Sequence, residues 1–292
     1  MASRFTLPPE LEREILETAA LRYPEMIPPL LRICRRAQIW LEPLLFRVVD
    51  LSHEPQLLAA ESKDPTFLQH AVRNVHASFE NRPDAISRYN KLLWKCPGII
   101  NLSVDFNLDD IGAGALREMR LKKLAVTVPS VISTWYLAGC TDPLFQSITH
   151  LDLFQGPRKA KSEWRHWRGL ARLPALTHLA LSPTIAIDIL ADVVVECPRL
   201  TLMVVAMYSW DSLAVKASLT LRATDPRVVL ILMASTYPIE WKLGALGGDD
   251  FWVRAETFID RRRAGEIGST CYLLDENATT QPLRLPINHR RT

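Results

Sequence analysis

The stretch Ala175-Leu176-Thr177-His178-Leu179-Ala180-Leu181-Ser182 sets the reading of the whole chain. Its apolar residues fall at Leu176, Leu179 and Leu181, a beat of apolar, two residues, apolar, one residue, apolar. The middle residues of the seven copies of this beat are Val75, Leu102, Leu124, Leu151, Leu179, Met203 and Ile231, separated by 27, 22, 27, 28, 24 and 28 positions. Alternation of this kind gives a short strand with one apolar face. One such strand cannot bury that face alone; stacked neighbours can, so the copies predict one continuous core.

A period of about 20–29 residues carrying L-x-x-L-x-L resembles the leucine-rich repeat. The segments between beats read as helices. Residues 84–95 carry Ile86, Tyr89, Leu92, Leu93 and Trp94 and stop at Cys96-Pro97, because the residue before a proline is pushed out of the helical region. Leu173-Pro174, Cys197-Pro198 and Asp225-Pro226 repeat the punctuation. Helix, X-Pro, strand is the unit, which predicts parallel strands with helical crossovers. Further helices are predicted over 109–119, 130–140, 161–172, 186–196, 209–217 and 249–264, and residues 56–82 read as an irregular lead-in with a strand near Val72–Ala77. The last helix has Phe251, Trp252, Ala255 and Phe258 on one side and Arg261, Arg262 and Arg263 at its end, where cations complement the helix dipole. It reads as a closing cap. Only the beat Ile99-Leu102-Val104-Asn107 carries the family's asparagine, which predicts an irregular, flattened array.

Composition narrows the function classes. The chain has 292 residues, 48% apolar and 23% charged, with a formal charge of +3. That fits a folded protein rather than a disordered one and lacks the strongly basic balance of a nucleic-acid binder. Cys34, Cys96, Cys140, Cys197 and Cys271 are dispersed without a C-x-x-C pair, as free thiols in a reducing compartment would be. No signal peptide or uncharged membrane-length stretch is visible, so a cytoplasmic or nuclear protein is expected.

Residues 1–50 differ from the rest. Pro8 and Pro9 suit the first turn of a helix, and Leu7, Leu11 and Ile15 repeat at i, i+4 and i+8 until Pro24. A second helix is predicted over 28–38, with Ile27, Leu30, Leu31 and Cys34 on one face and Arg32, Arg35 and Arg36 on the other. A third carries Trp40, Leu41, Leu44, Leu45 and Phe46. In order, Leu7-Pro8-Pro9-Glu10-Leu11, Ile15-Leu16, Leu30-Leu31-Arg32-Ile33-Cys34-Arg35-Arg36 and Leu44-Leu45-Phe46-Arg47-Val48-Val49 resemble the F-box. With the repeats and Asp250–Ile267, the chain looks like the F-box proteins with degenerate leucine-rich repeats that abound in mushroom-type fungi. The resemblance implies a substrate receptor of a cullin–RING ubiquitin ligase. Leu7, Pro8, Leu11, Ile15, Leu30, Ile33 and Cys34 would dock the Skp adaptor, and the repeats would hold an unknown target protein. The alternative is a non-catalytic interaction scaffold whose N-terminal helices only cap the stack.

The residues between the beat positions face outward from the repeats. They run Asn74/His76, Asn101/Ser103, Lys123/Ala125, His150/Asp152, His178/Ala180, Leu202/Val204 and Leu230/Leu232. The row begins polar, as a solvated face, and ends apolar. Leu202, Val204, Leu230 and Leu232 are either covered by the last helix or a loop, or form the floor of a partner site. His150, Asp152 and His178 could meet across neighbouring strands, but no fourth zinc ligand stands near them. Gly112 and Gly114 in Ile111–Arg117 echo a dinucleotide loop without its third glycine. Arg158, Lys159, Lys161, Arg165 and Arg168 beside Trp164 and Trp167 read as a solvated helix face or as a phosphate or acidic-partner patch. No catalytic motif is present, so no enzymatic role and no cofactor are expected.

The predicted architecture is therefore α/β. A three-helix F-box-like module (1–50) precedes an irregular leucine-rich-repeat solenoid with a closing helix (51–265) and an irregular tail (266–292).

Overall fold

A computed structural model describes residues 7–78, 84–106, 113–127, 143–154, 164, 167–208, 211, 216, 218–220 and 224–276. The fold is α/β. Nine strands form one sheet in which spatial order is chain order: β1 (Val48–Asp50), β2 (Asn74–Ala77), β3 (Asn101–Val104), β4 (Lys123–Thr127), β5 (His150–Phe154), β6 (His178–Leu181), β7 (Leu202–Met207), β8 (Val228–Leu232) and β9 (Leu273–Asp275). Every neighbouring pair is parallel. The described helices are α1 (Pro9–Arg22), α2 (Ile27–Leu30), α3 (Arg35–Leu45), α4 (Glu54–Glu61), α5 (Pro65–Ala71), α6 (Ala85–Leu93), α7 (Ala113–Glu118), α8 (Pro183–Glu196), α9 (Tyr237–Ala245) and α10 (Phe251–Arg263).

Six of the seven beat residues align as read. Val75 pairs with Leu102, Leu102 with Leu124, Leu124 with Leu151, Leu151 with Leu179 and Leu179 with Met203. All six are buried in one core that also takes Leu93, Leu116, Ile189 and Val193 from the backing helices. The seventh is a correction: Met203 pairs with Val228, and Ile231 stands opposite Ala206. Val228–Leu232 is apolar at every position, so alternation cannot fix its register, and an odd slip turns each side chain to the other face.

Arginines finish several of the helix-to-strand turns. Arg73 donates to the carbonyls of Gln69 and Val72 at 3.0 and 2.8 Å. Arg199 donates to those of Leu173 and Pro174 at 3.0 and 3.1 Å. Arg227 donates to those of Val194 and Cys197 at 2.7 and 3.2 Å while pairing with Asp225. Carbonyls at the ends of helices and turns lack partners of their own, and a guanidinium reaches several at once.

Other elements depart from the sequence reading. The helix predicted over 28–38 is broken: α2 has four residues and α3 starts at Arg35. Cys34 is extended, with φ −162°, and its sulfur accepts the N–H of Ala37 at 3.5 Å, so it caps α3 rather than continuing α2. The lead-in over 56–82 holds most of α4 and all of α5, and β1, β9 and α9 stand where no element is predicted. The helix read over 109–119 is α7, and within 161–172 the described part is a 3-10 turn at Leu170–Arg172. The helix 130–140, most of 209–217, Asn107, Ile111, Gly112, Cys140, the basic residues 158–165 and the tail beyond 276 lie outside the described residues. Gly114 lies against the Trp94 indole, a packing contact that accounts for a small residue there.

Candidate functional site

Two surfaces come forward from the residues read in the sequence. The first is on the N-terminal helices. Ala20, Ile27 and Leu41 form a small core of their own, with Leu16, Leu30, Leu31 and Leu44 packed against it. That core uses the inward side of α1. The other side presents Leu7, Leu11 and Ile15 to solvent, with Leu11 46% and Ile15 55% exposed. Ile33, in the turn before α3, is 62% exposed. Pro8 and Cys34 are exposed as well, whereas Leu30 is half-buried in the module's core. Arg36 and Glu12 bridge α3 and α1 at 3.1 Å beside this face. The module joins the sheet's backing layer through an edge-to-face pair of Phe46 and Phe67 at 5.3 Å and an ion pair of Lys63 with Glu42 at 2.7 Å.

The second surface is the outward face of the sheet, and here the structure corrects the sequence reading. The polar row is covered rather than solvated. The chain leaves β8 and returns across the sheet as α9, so that Trp241 donates its indole N–H to Asn101 on β3 at 3.2 Å and stands against His76 on β2 at 5.4 Å. Tyr237 hydrogen-bonds through its hydroxyl to Asp152 and Ser103. Ser103 Oγ in turn lies 3.1 Å from His76 Nδ1, which continues the chain of hydrogen bonds to β2. Lys123 reaches toward Asp250 at 3.9 Å.

The same helices close the apolar end. Leu202, Val204 and Ala180 are buried with Phe251, Trp252, Ala255, Phe258 and Ile259 of α10 in a second core. They are not the open floor of a partner site. Leu230 is buried in the main core and Leu232 packs against it, because the slipped register of β8 puts Val229 and Ile231 on the outward face instead. The apolar residues there complement α10, whose Asp250 caps its first turn by accepting from the N–H groups of Trp252 and Val253, both at 3.1 Å.

Burial sets the electrostatics of this interface. Asp152 is pushed up to about 7 by loss of hydration, opposed by its bond from Tyr237. Burial, then the neighbouring His178 and Lys123, hold His150 down at about 3. Burial also lowers His76 and raises Asp250. The His150 and His178 rings stack at 4.1 Å, and His178 Nε2 meets Glu256 at 2.8 Å. Among the described residues no group of three His, Cys, Asp or Glu side chains is placed to hold a metal ion. A cavity of about 20 Å³ remains between Asn101, Asp152, Tyr237, Trp241 and Trp252, room for about one water. Ser103 and His76 have the spacing of a nucleophile and base, but both are buried.

Beside α10 lies a groove of about 490 Å³ lined by Val253, Phe258, Leu274, Glu240, Arg254 and Glu276. Arg254 bridges Glu240 at 2.7 Å and Glu276 at 2.6 Å. Among the described residues Trp167 is buried, Trp164 packs against the main core and Arg168 is exposed. The described cysteines Cys34, Cys96, Cys197 and Cys271 are free thiols, and burial raises Cys96 to about 12.

Sequence reasoning missed Tyr237 and Trp241. A signal was present: Thr236 before Tyr237-Pro238 is a helix start, with the two aromatics four positions apart on one face. Comparison with known proteins gives no matching protein-family model and no matching curated protein. No described helix is long and apolar enough to cross a membrane.

Proposed function

We propose that the chain is an F-box-type substrate receptor, a degenerate leucine-rich-repeat solenoid that links a target protein to a cullin–RING ubiquitin ligase through the Skp adaptor. The observation that carries the reading is the outward apolar row on a module with its own core. Leu7, Leu11, Ile15 and Ile33 lie in solvent while Ala20, Ile27 and Leu41 already satisfy the fold. A helical cap exists to give the stack a polar outer face. This module gives it an apolar one, which favours docking over capping alone. Leu30 acts from within the module's core, and Cys34, which is exposed, caps α3. The consecutive parallel strands and their recurring X-Pro turns support the repeat reading. The chain then contributes proximity and orientation, the ligation chemistry belongs to other subunits, and the protein works in the cytoplasm or nucleus.

A pull-down of the full chain with a Skp adaptor tests the proposal. Leu11→Arg with Ile15→Arg is expected to abolish capture and leave the unfolding midpoint unchanged, since both side chains are exposed. Absence of capture by the unaltered chain leaves the plain scaffold as the better account.

A further inference from the structure

The two helices over the sheet are held in different ways. α10 sinks Phe251, Trp252, Ala255, Phe258 and Ile259 into the second core. α9 adds directional contacts: Trp241 on Asn101 and His76, Tyr237 on Asp152 and Ser103, and Glu240 on Arg254, with Tyr237 also packed against that core. Its other side carries Ile239, Leu243 and Leu246 in solvent. A helix that serves only a core turns such an i, i+4, i+7 stripe inward. α9 turns it outward and points an indole N–H and a phenol at the sheet. Two aromatic anchors, each ending in a donor that meets a fixed acceptor, are how a peptide helix sits on a receptor. Gly247, with φ +83°, caps the end of α9, where the N–H groups of Gly247 and Gly248 bond the carbonyls of Gly244 and Leu243 at 3.0 and 2.9 Å, and Glu240 of α9 pairs with Arg254 of α10 at 2.7 Å, so displacing α9 means breaking that pair as well.

We propose that His76, Asn101, Ser103 and Asp152 form a binding surface for a helical segment of a partner protein bearing a tyrosine and a tryptophan four residues apart, and that α9 is its resident occupant. The inference rests on reading the chain as a target receptor, but not on adaptor docking. Three neighbouring or nearby strands, β2, β3 and β5, hold the four side chains, so the surface is preformed. Asn101 and Asp152 are each only 8% exposed beneath α9. A segment that covers them without a matching donor leaves a buried acceptor unpaired, which discriminates more sharply than an ill-fitting apolar contact. Purely aliphatic helices are thereby refused. The tethered helix competes with any partner at high local concentration, so binding from solution is weak until α9 lifts.

Fluorescence anisotropy with a labelled peptide spanning residues 235–248 tests this on the full-length chain. A full-length Trp241→Ala/Tyr237→Phe variant is expected to bind the peptide at least about tenfold more tightly than the unaltered chain. A peptide carrying the Trp241→Ala change, or addition of Asn101→Leu to the variant, is expected to remove that binding. Equal affinity of the two proteins overturns the proposal. So does no binding by a variant whose β2 and β3 amides stay protected from hydrogen exchange. Should the variant lose that protection, the unaltered chain decides: α9 amides exchanging at least about tenfold faster than those of α10 support the proposal, and a single common rate overturns it. The adaptor enters none of these readouts, so failure here and failure of the pull-down are separate results.

Discussion

Trp241 donates its indole N–H to the side-chain oxygen of Asn101 at 3.2 Å, across 140 positions of sequence. The bond ties a helix that follows β8 to the third strand of the sheet, and it places the His76 ring 5.4 Å from the indole. It is the fixed point from which the covering of the sheet face can be measured.

Trp241→Ala is expected to lower the free energy of unfolding by about 3 kcal/mol, chiefly through the lost packing of a buried ring. Asn101→Ala leaves the indole without its acceptor. The double variant is expected to show a coupling of about 1 kcal/mol in urea unfolding. Additive effects would mean that the two side chains do not touch in solution.

Buried Asp152 and half-buried His150 on β5 predict two opposed pH dependences. Asp152 stands at about 7 in the folded chain, against an ordinary carboxylate of about 4. Over that interval the folded chain keeps a proton that the unfolded chain has released, so stability falls as pH rises from about 4 to 7 and stays low above. His150 stands at about 3, against an ordinary histidine of about 6.5. The unfolded chain takes that proton first, so this contribution is present above about pH 6.5 and is lost as pH falls toward 3. Asp152→Asn, which keeps an oxygen for the Tyr237 hydroxyl, is expected to stabilise the chain at pH 8 by on the order of 1–3 kcal/mol and by less at pH 5. His150→Gln is expected to flatten the acid limb. Urea midpoints across pH 4–8 check both, and a pH-independent gain for Asp152→Asn would contradict a buried carboxylate.

Gly98 follows the Cys96-Pro97 turn. A Cβ there would press into the carbonyl oxygen of Gln69 and the Arg73 guanidinium. Gly98→Ala is expected to cost about 1–3 kcal/mol, because the backbone oxygen cannot move aside as a side chain can. Gly268 has nothing within 4 Å of the equivalent position, so Gly268→Ala is expected to stay within about 0.5 kcal/mol of the unaltered chain. Thermal unfolding of the two variants side by side separates the cases.

The parallel sheet was legible wherever apolar and polar residues alternate. From Val75 to Leu179 each beat has a polar or small residue between its last two apolar ones, and each stands in the register that spacing implies; the Met203 beat, with Val204 in that place, keeps its register with Leu179 as well. At Val228–Leu232 the alternation vanishes, and the inward and outward sets were exchanged. β1 and β9 have three residues each, too few to show a period. The spacing of Leu7, Leu11 and Ile15 marks a helical stripe, but only the structure shows that it faces solvent; the spacing of Cys34 matches a helix interior, because its cap geometry depends on a backbone turn that has no periodic signature.

By itself the sequence determined a stacked α/β array of parallel strands behind an N-terminal helical module. Those features depend on local periodicity and on where proline stops a helix, and neighbouring residues carry both. Only the tertiary structure decided that the polar face is buried. The path of α9 back from β8 to β2 is fixed by contacts such as Trp241–Asn101 and Tyr237–Asp152, which join residues far apart in the chain and leave no rhythm in either segment.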